Sequence, residues 1–275
     1  VSNGASRAHW PRAARPESDA GNGRIDMTSP RVSVVVAVFN EAENVAAVCE
    51  EIVLGMAPVA PFEVVWVDDG STDETAVILQ GIADADPRVR LVRHDRRCAK
   101  SQAVRTGVRA ARAEWIATLD GDGQNDPADL PDMLTAAWAA KGRAPLVAGI
   151  RVRRDDPWSR LVATRIANGF RSAVLGDHCP DTGCGVKVFQ REAFLMLPCF
   201  EGMHRFLPAL FARYGHPLIN HPVRHRARAR GKSKYTNWGR ALVGIWDMMG
   251  VIWLTRRTTA PLNVTENGRS VEPQR

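Results

Sequence analysis

The chain has 275 residues, of which 45% are hydrophobic and 24% are charged, a composition typical of a globular protein with a sizeable core. It excludes a wholly disordered protein and a polytopic membrane protein. The formal net charge of +7 suits nucleic acid, an anionic membrane surface or a phosphorylated substrate as partner, and basic residues are concentrated late, in residues 224–234.

Apolar strands alternate with helical patterns along most of the chain. Residues 1–29 are polar, contain Arg, Pro and Gly, and are expected to be a disordered lead-in. The predicted strands cover 31–38, 62–67, 89–93, 115–119, 146–150, 186–190 and 218–223. The predicted helices cover 43–54, 101–113, 158–175 and 203–214. One further helix is predicted to run through Gln80, and Ser71 and Glu74 before it have the spacing of a capping box. This alternation predicts an α/β domain over residues 30–237, with a mostly parallel sheet flanked by helices.

An acidic motif, Asp120-Gly121-Asp122-Gly123-Gln124, follows the fourth predicted strand. Open α/β sheets bind ligands at the carboxyl ends of their strands. Two carboxylates and an amide oxygen are hard ligands that suit Mg²⁺ or Mn²⁺, which are usually shared with substrate phosphates. A surface turn is the alternative, since Asp, Gly and Asn are common turn residues. The position at a strand end favours the metal site.

Three further motifs accompany the acidic one. Residues 38–44 read Val-Phe-Asn-Glu-Ala-Glu-Asn, residues 67–73 read Val-Asp-Asp-Gly-Ser-Thr-Asp, and residues 228–234 read Arg-Ala-Arg-Gly-Lys-Ser-Lys. In this order and spacing the four motifs resemble those of the family 2 glycosyltransferases of GT-A fold, in particular the group of dolichol-phosphate mannose synthases and bacterial polyprenyl-phosphate glycosyltransferases. Two positions depart from the pattern: Phe39 replaces the usual Tyr, and Ala99-Lys100 replaces a frequent Gly-Lys pair. Because of the second departure, the resemblance predicts the fold but not the conformation of the loop over the nucleotide.

The resemblance implies a role for each motif. Nucleotide contacts are expected from Phe39, Glu41, Asp68, Asp69 and Asp120. The metal ligands would be Asp120, Asp122 and Gln124, holding Mg²⁺ or Mn²⁺. Asp122, Arg151 and Arg228 are the catalytic candidates, and Arg160, Thr164, Ser233 and Lys234 are expected at the acceptor phosphate. Lys100 is interpreted as a solvated lysine at a helix start in preference to a cation near the diphosphate. Asp181 would orient the acceptor or a basic partner, although turn chemistry explains it equally well.

The implied activity is a metal-dependent, inverting transfer of a sugar from a UDP-sugar or GDP-mannose to a polyprenyl phosphate, giving a lipid-linked sugar for cell-envelope glycosylation. A saccharide hydroxyl as acceptor is the alternative, but it requires a general base, for which Asp181 is the one candidate. A non-catalytic nucleotide-binding module is the second alternative. Nucleic acid is not expected as a partner, because the basic run lacks interleaved aromatic residues. A homo-oligomer is compatible with the sequence.

A helix is predicted over residues 238–257, and its apolar side chains fall on one side. They are Trp238, Leu242, Ile245, Trp246, Met249, Ile252 and Trp253. The apolar stretch is too short to span a bilayer, which needs about 20 residues, so we predict an amphipathic helix in the membrane interface. The alternative is a helix packed on its own domain or on a second subunit. Together with scattered cysteines, which favour a reducing compartment, this predicts a peripheral protein on the cytoplasmic face of the inner or plasma membrane. Residues 258–275 are expected to be a flexible tail.

Overall fold

The computed structural model of the chain describes residues 30–152, 169, 171–172, 174–226, 237–259, 264–266 and 269–271. Seven strands of this part of the chain form one sheet. They are β1 (Val32–Val38), β2 (Phe62–Asp68), β3 (Val89–Arg93), β4 (Trp115–Asp120), β5 (Leu146–Arg151), β6 (Lys187–Gln190) and β7 (Leu218–Val223). All seven predicted strands are therefore present, and each lies within two residues of its predicted bounds.

The sheet has the strand order β3-β2-β1-β4-β6-β5-β7. β1 pairs in parallel with β2 and β4, and β2 pairs in parallel with β3. β6 is antiparallel to both of its neighbours, β4 and β5, whereas β5 and β7 are parallel. The mostly parallel sheet predicted from the sequence is confirmed, with β6 as the reversed strand. The carboxyl ends of β1, β2, β4 and β5 consequently lie along one edge of the sheet.

Helices cover both faces of this sheet. They are α1 (Val45–Gly55), α2 (Thr75–Ala85), α3 (Ala99–Ala110), α4 (Leu130–Ala139), α5 (Arg191–Leu195), α6 (Leu207–Arg213) and α7 (Asn237–Arg257). α1, α2 and α4 contribute to one buried apolar cluster, and α3, α5 and α6 contribute to a second. Side chains alternate between the two clusters along β1: Val34 and Val36 belong to the first and Val35 to the second. A strand that is apolar on both faces is what a sheet covered on both sides requires.

The structure differs from the sequence prediction in several elements. The helix predicted over 203–214 is a 3-10 turn, Met203–Arg205, followed by α6. The capping box is wrong: the Ser71 hydroxyl accepts a hydrogen bond from the Asn40 amide (2.9 Å), and α2 begins only at Thr75. Within the expected flexible tail, the strands β8 (Val264–Glu266) and β9 (Arg269–Val271) pair in antiparallel orientation. The predicted lead-in, residues 1–29, lies outside the described residues.

Candidate active site

The metal motif continues directly from β4, whose last residue is Asp120. Gly121 packs so closely on β1 that a Cβ there would overlap the Val38 side chain. The turn itself is made at Gly123, whose φ of +75° is a left-handed conformation that favours glycine. Gln124 donates its amide proton to Asp122 Oδ1 (3.2 Å). The two glycines are therefore required for different reasons: Gly121 allows close approach to the sheet, and Gly123 allows the chain to turn.

Lys100 and Gly185 define the surroundings of Asp120. The Lys100 ammonium group forms an ion pair with Asp120 Oδ1, so the interpretation of Lys100 as a solvated lysine is wrong. Burial works to raise the pKa of Asp120, but Lys100 outweighs it and holds the pKa below its ordinary value. A Cβ at Gly185 would overlap the Asp120 carboxylate. Asp120 is thus kept ionised in a cradle that only glycine leaves open, which fits a site for a hard divalent cation.

The loop between β3 and α3 ends at Ala99, the first residue of the helix, and this residue has a φ of +67°. An L-residue other than Gly, Asn or Asp rarely adopts this conformation. This conformation explains why glycine suits the first position of the Gly-Lys pair, since glycine adopts it without strain. In this chain Ala99 adopts it nevertheless, and Lys100 still reaches Asp120.

The first two motifs hold each other in place. Asn40, which has a φ of +52°, accepts a hydrogen bond from the Thr72 amide at its side-chain oxygen (2.8 Å). Glu41 donates its amide proton to Thr75 Oγ1 (2.9 Å), and its carboxylate accepts from Asn44 Nδ2 (2.7 Å). The loops after β1 and β2 therefore form one continuous rim at the edge of the sheet.

The two aspartates after β2 have different surroundings. Asp68 is fully buried, accepts from the Ser71 amide (3.0 Å) and pairs with Arg93 (3.2 Å), so it holds the turn. Asp69 accepts from the Cys98 amide (2.8 Å) and contacts His94 Nδ1 (2.8 Å). Next to them is an open cavity of about 470 Å³, lined by Gly70, Ser71, Thr72, Arg93, His94 and Asp95.

Phe39 lies on the same rim. The Arg97 guanidinium carbon stacks over the Phe39 ring, 4.5 Å from its centroid, a cation–π geometry. A flat aromatic ring with a cation stacked on it is a suitable surface for a nucleobase.

Arg151, the last residue of β5, is held by Asp181. Its Nε donates to Asp181 Oδ2 and its Nη2 to Oδ1, both at 2.7 Å. Such a bidentate pair fixes the plane of the guanidinium group. The loop that carries Asp181 is fastened by buried Lys187, whose ammonium group donates to the carbonyl oxygens of Cys184 and Thr182. Burial lowers the pKa of Lys187.

The chain that leaves β7 returns to the metal motif. His225 and Asn125 form an antiparallel bridge, and Arg226 donates its amide proton to the Gln124 carbonyl (2.9 Å). The Gln124 side-chain nitrogen donates to the Arg226 carbonyl (3.3 Å), which leaves the Gln124 side-chain oxygen as the ligand atom that a metal would require.

The structure brings the predicted residues of β1, β2, β4 and β5 to one edge of the sheet. Five predicted residues lie outside the described part of the chain: Arg160, Thr164, Arg228, Ser233 and Lys234. Sequence reasoning missed Gly185 and Lys187, and it undervalued Lys100. A signal existed for Lys100, because it occupies the lysine position of the family's Gly-Lys pair. No local pattern marks Gly185, whose neighbour Asp120 is 65 residues away in the sequence.

Comparisons with known proteins agree with this architecture. Residues 33–196 match the family model described as Glycosyl transferase family 2. A dodecaprenyl-phosphate galacturonate synthase of Rhizobium johnstonii is 31% identical over 242 residues, covering 85% of this chain and 70% of that protein. An undecaprenyl-phosphate 4-deoxy-4-formamido-L-arabinose transferase of Edwardsiella ictaluri is 30% identical, covering 84% of this chain and 69% of that protein.

Solved structures support the same fold. A mannosyltransferase from Pyrobaculum calidifontis in complex with GDP-Man and Mn²⁺ superposes with a TM-score of 0.62 at 23% identity, over 88% of this chain and 69% of that one. Glucosyl-3-phosphoglycerate synthase from Mycobacterium tuberculosis, in complex with Mn²⁺, UDP and glucosyl-3-phosphoglycerate, gives a TM-score of 0.58 at 18% identity, over 82% of this chain and 78% of that one. The GT-A fold expected from the sequence is confirmed.

Proposed function

Because the chain belongs to glycosyl transferase family 2, we propose that it transfers a sugar from a nucleotide diphosphosugar to a polyprenyl phosphate, with inversion at the anomeric carbon. The products are a polyprenyl phosphosugar and a nucleoside diphosphate. Relatives named for transfer to dodecaprenyl or undecaprenyl phosphate support this acceptor class. The donor is a UDP-sugar or GDP-mannose.

The observation that carries the proposal is the pairing of Arg151 with Asp181. Both carboxylate oxygens of Asp181 accept hydrogen bonds from the guanidinium group. A saccharide hydroxyl needs a general base to take its proton, and a carboxylate engaged in this way is poorly suited to that task. A phosphate monoester is already anionic at neutral pH and needs orientation and charge balance instead. An arginine fixed in direction by a carboxylate supplies both.

On the donor side, the rim after β1 and β2 would hold the nucleotide. Phe39, backed by Arg97, offers a stacking surface for the base. Glu41 and Asp69 offer acceptors for ribose hydroxyls, since a carboxylate can accept from a diol at both oxygens. Asp68 contributes by holding the turn on which Asp69 stands.

At the reacting centre, Asp120, Asp122 and Gln124 would hold Mg²⁺ or Mn²⁺. A divalent cation bound there supplies Lewis-acid stabilisation of the negative charge that grows on the leaving diphosphate. Lys100, which forms an ion pair with Asp120, would add a positive charge beside the diphosphate. An acceptor phosphate oxygen attacks the anomeric carbon from the opposite side as the bond between that carbon and the diphosphate oxygen breaks. Arg151, and Arg228 from the late basic motif, would orient the phosphate.

The exposed face of α7 would attach the protein to the membrane that contains the acceptor. Trp246 (71% exposed), Trp253 (63%) and Met249 (45%) recur at spacings of three and four residues and so lie along one side of the helix. The exposed Arg256 and Arg257 follow in its last turn. Tryptophan and arginine side chains favour the headgroup region of an anionic bilayer. None of the helices that the structure describes is long and apolar enough to cross a membrane.

The test is transfer from a panel of labelled nucleotide sugars to a short polyprenyl phosphate in detergent, with Mn²⁺ or Mg²⁺ and with EDTA as the control. A labelled product that partitions into organic solvent, and that is lost with EDTA, supports the proposal and identifies the sugar. Transfer to saccharide acceptors with none to the lipid would replace it with the polysaccharide alternative. Binding of nucleotide sugars without turnover on any acceptor would favour a non-catalytic module.

A further inference from the structure

The segment that joins β7 to the late basic motif is fastened to the loop that follows the metal motif. Besides the backbone contacts of residues 225–226, two arginine side chains reach acidic groups on this loop. Arg224 pairs with Asp126 (3.2 Å) and Asp129 (2.8 Å). Arg226 pairs with Asp126 (2.9 Å) and with Glu51 of α1 (2.9 Å). Asp126 is the one residue among these that receives both arginines.

Asp126 is well placed for this task. Its side chain is only 10% exposed, whereas those of Arg224 and Arg226 are 60% and 44% exposed. Its Oδ1 accepts from the Ala128 amide (3.1 Å) and so caps the turn that precedes α4, while Oδ2 receives the two guanidinium groups. The carboxylate thus couples the turn that precedes α4, two residues after Gln124, to a pair of long and largely exposed side chains.

We propose that Asp126 is a positioning residue, which clamps Arg224 and Arg226 beside the metal motif and thereby keeps the Arg226 backbone bonded to Gln124. The Arg226 amide donates to the Gln124 carbonyl (2.9 Å), and the Gln124 side-chain nitrogen donates to the Arg226 carbonyl (3.3 Å). Whatever holds Arg226 therefore also orients the Gln124 side chain. The role of Gln124 at a metal ion rests on the proposed function, whereas the clamp itself rests on the contacts above.

The charge of Asp126 is separable from its capping role. An asparagine at this position still presents an oxygen to the Ala128 amide but loses the attraction for both arginines. Single exposed ion pairs contribute little, but here two pairs converge on one carboxylate next to a backbone bridge, and such contacts reinforce each other. Removing the charge should therefore loosen residues 224–226 while the fold persists.

The experiment compares the full-length protein with Asp126→Asn and with the control Asp132→Asn, an exposed aspartate in the first turn of α4. Hydrogen exchange at the Arg226 amide, which is bonded to the Gln124 carbonyl, reports the clamp without any substrate. Titration with Mn²⁺, followed by electron paramagnetic resonance, reports its consequence at the metal motif. We expect Asp126→Asn to speed exchange in residues 224–226 and to weaken Mn²⁺ binding, each by roughly 3- to 30-fold, with the melting temperature nearly unchanged.

A second variant, Arg226→Gln, removes the more exposed partner of the same ion pair. It provides the test if Asp126→Asn does not fold. It should reproduce the same changes, and combining the two should add less than the sum of their separate effects. Wild-type exchange and wild-type affinity for Mn²⁺ in a folded variant would overturn the proposal, as would equal effects from Asp132→Asn. Failure of the wild type to make a lipid product would reject the proposed function, yet the exchange measurement would still decide whether the clamp exists.

Discussion

At the scale of single residues, the site depends on backbone positions as much as on charged groups. Gly185 leaves room for the Asp120 carboxylate, and Ala99 takes a left-handed conformation so that Lys100 can reach it. Neither residue carries chemistry of its own. They influence the site only through backbone conformation and available space. Substitutions at these two positions therefore test the shape of the site without changing its charge.

Substituting Gly185 should disturb the metal site selectively. In Gly185→Ala the new methyl group overlaps the Asp120 carboxylate, which must move away from its present position. We expect the affinity for Mn²⁺ to fall by roughly tenfold or more, as for a lost contact worth at least about 1.4 kcal/mol, when measured by electron paramagnetic resonance. Gly81→Ala is the control, because nothing lies within 4 Å of a Cβ there. A Gly185→Ala protein that binds Mn²⁺ like the wild type would contradict this description of the cradle.

Substituting Ala99 should stabilise the protein. The left-handed conformation costs a residue such as alanine about 1–2 kcal/mol, while glycine loses part of this gain through its more flexible unfolded state. Ala99→Gly should therefore raise the free energy of unfolding by roughly 0.5–1 kcal/mol, measured by urea denaturation. Ala83→Gly, inside α2, should lower it by about 1 kcal/mol. If both variants were destabilised alike, the φ of Ala99 would not be a source of strain.

At the scale of elements, α7 presents two unlike faces. Val251 is buried and packs with Met248 and Leu254 against the second apolar cluster, and Asp247 pairs with Arg205 (2.7 Å). The opposite face exposes Trp246 and Trp253. The sequence prediction of one apolar side was incomplete, because it treated the helix as a single stripe, whereas the structure uses part of the apolar surface for docking to the domain.

The exposed tryptophans should govern binding to membranes. The double substitution Trp246→Ser, Trp253→Ser should reduce partitioning into anionic phospholipid vesicles by roughly tenfold or more, since apolar area that leaves water is worth about 25 cal/mol per Å². Vesicle co-sedimentation measures this. Leu54→Ser, which removes another exposed apolar side chain (68% exposed) on α1, is the control. Unchanged partitioning of the tryptophan variant would assign this face to another partner.

Other elements show where sequence reasoning succeeds and where it stops. Strands such as β1 and β4 lie within one residue of their predicted bounds, because a short apolar run bounded by polar residues is a local signal. α5 was missed, since it has only five residues and leaves too short a pattern. The direction of β6 could not be predicted either, because the apolar content of a strand does not record which way it runs.

At the scale of the whole molecule, the topology gathers residues that are distant in sequence. Asp120 meets Lys100 and Gly185, and Asp126 meets Arg224 and Arg226 nearly a hundred residues later. The motifs themselves could be recognised from the sequence because each is a short segment. The contacts between them could not, since they follow from the strand order of the sheet.

This gathering also sets the arrangement of the proposed active site. The rim proposed to hold the nucleotide is formed by the loops after β1 and β2, the proposed metal motif follows the end of β4, and the Arg151–Asp181 pair joins the end of β5 to the loop before β6. Donor and acceptor would therefore approach from different strands toward Asp122, which lies between them in the chain order of the motifs.

The most direct measurement compares polyprenyl phosphate with the corresponding polyprenol as acceptor, at saturating nucleotide sugar and Mn²⁺, for the wild type and for Asp122→Asn. We expect a lipid-linked sugar from the phosphate and not from the alcohol, because Arg151 can orient a phosphate and engages both carboxylate oxygens of Asp181, the candidate base. In Asp122→Asn, kcat should fall by at least about 100-fold, as loss of a metal carboxylate implies. Transfer to the alcohol at a comparable rate, or full activity of Asp122→Asn, would contradict the account.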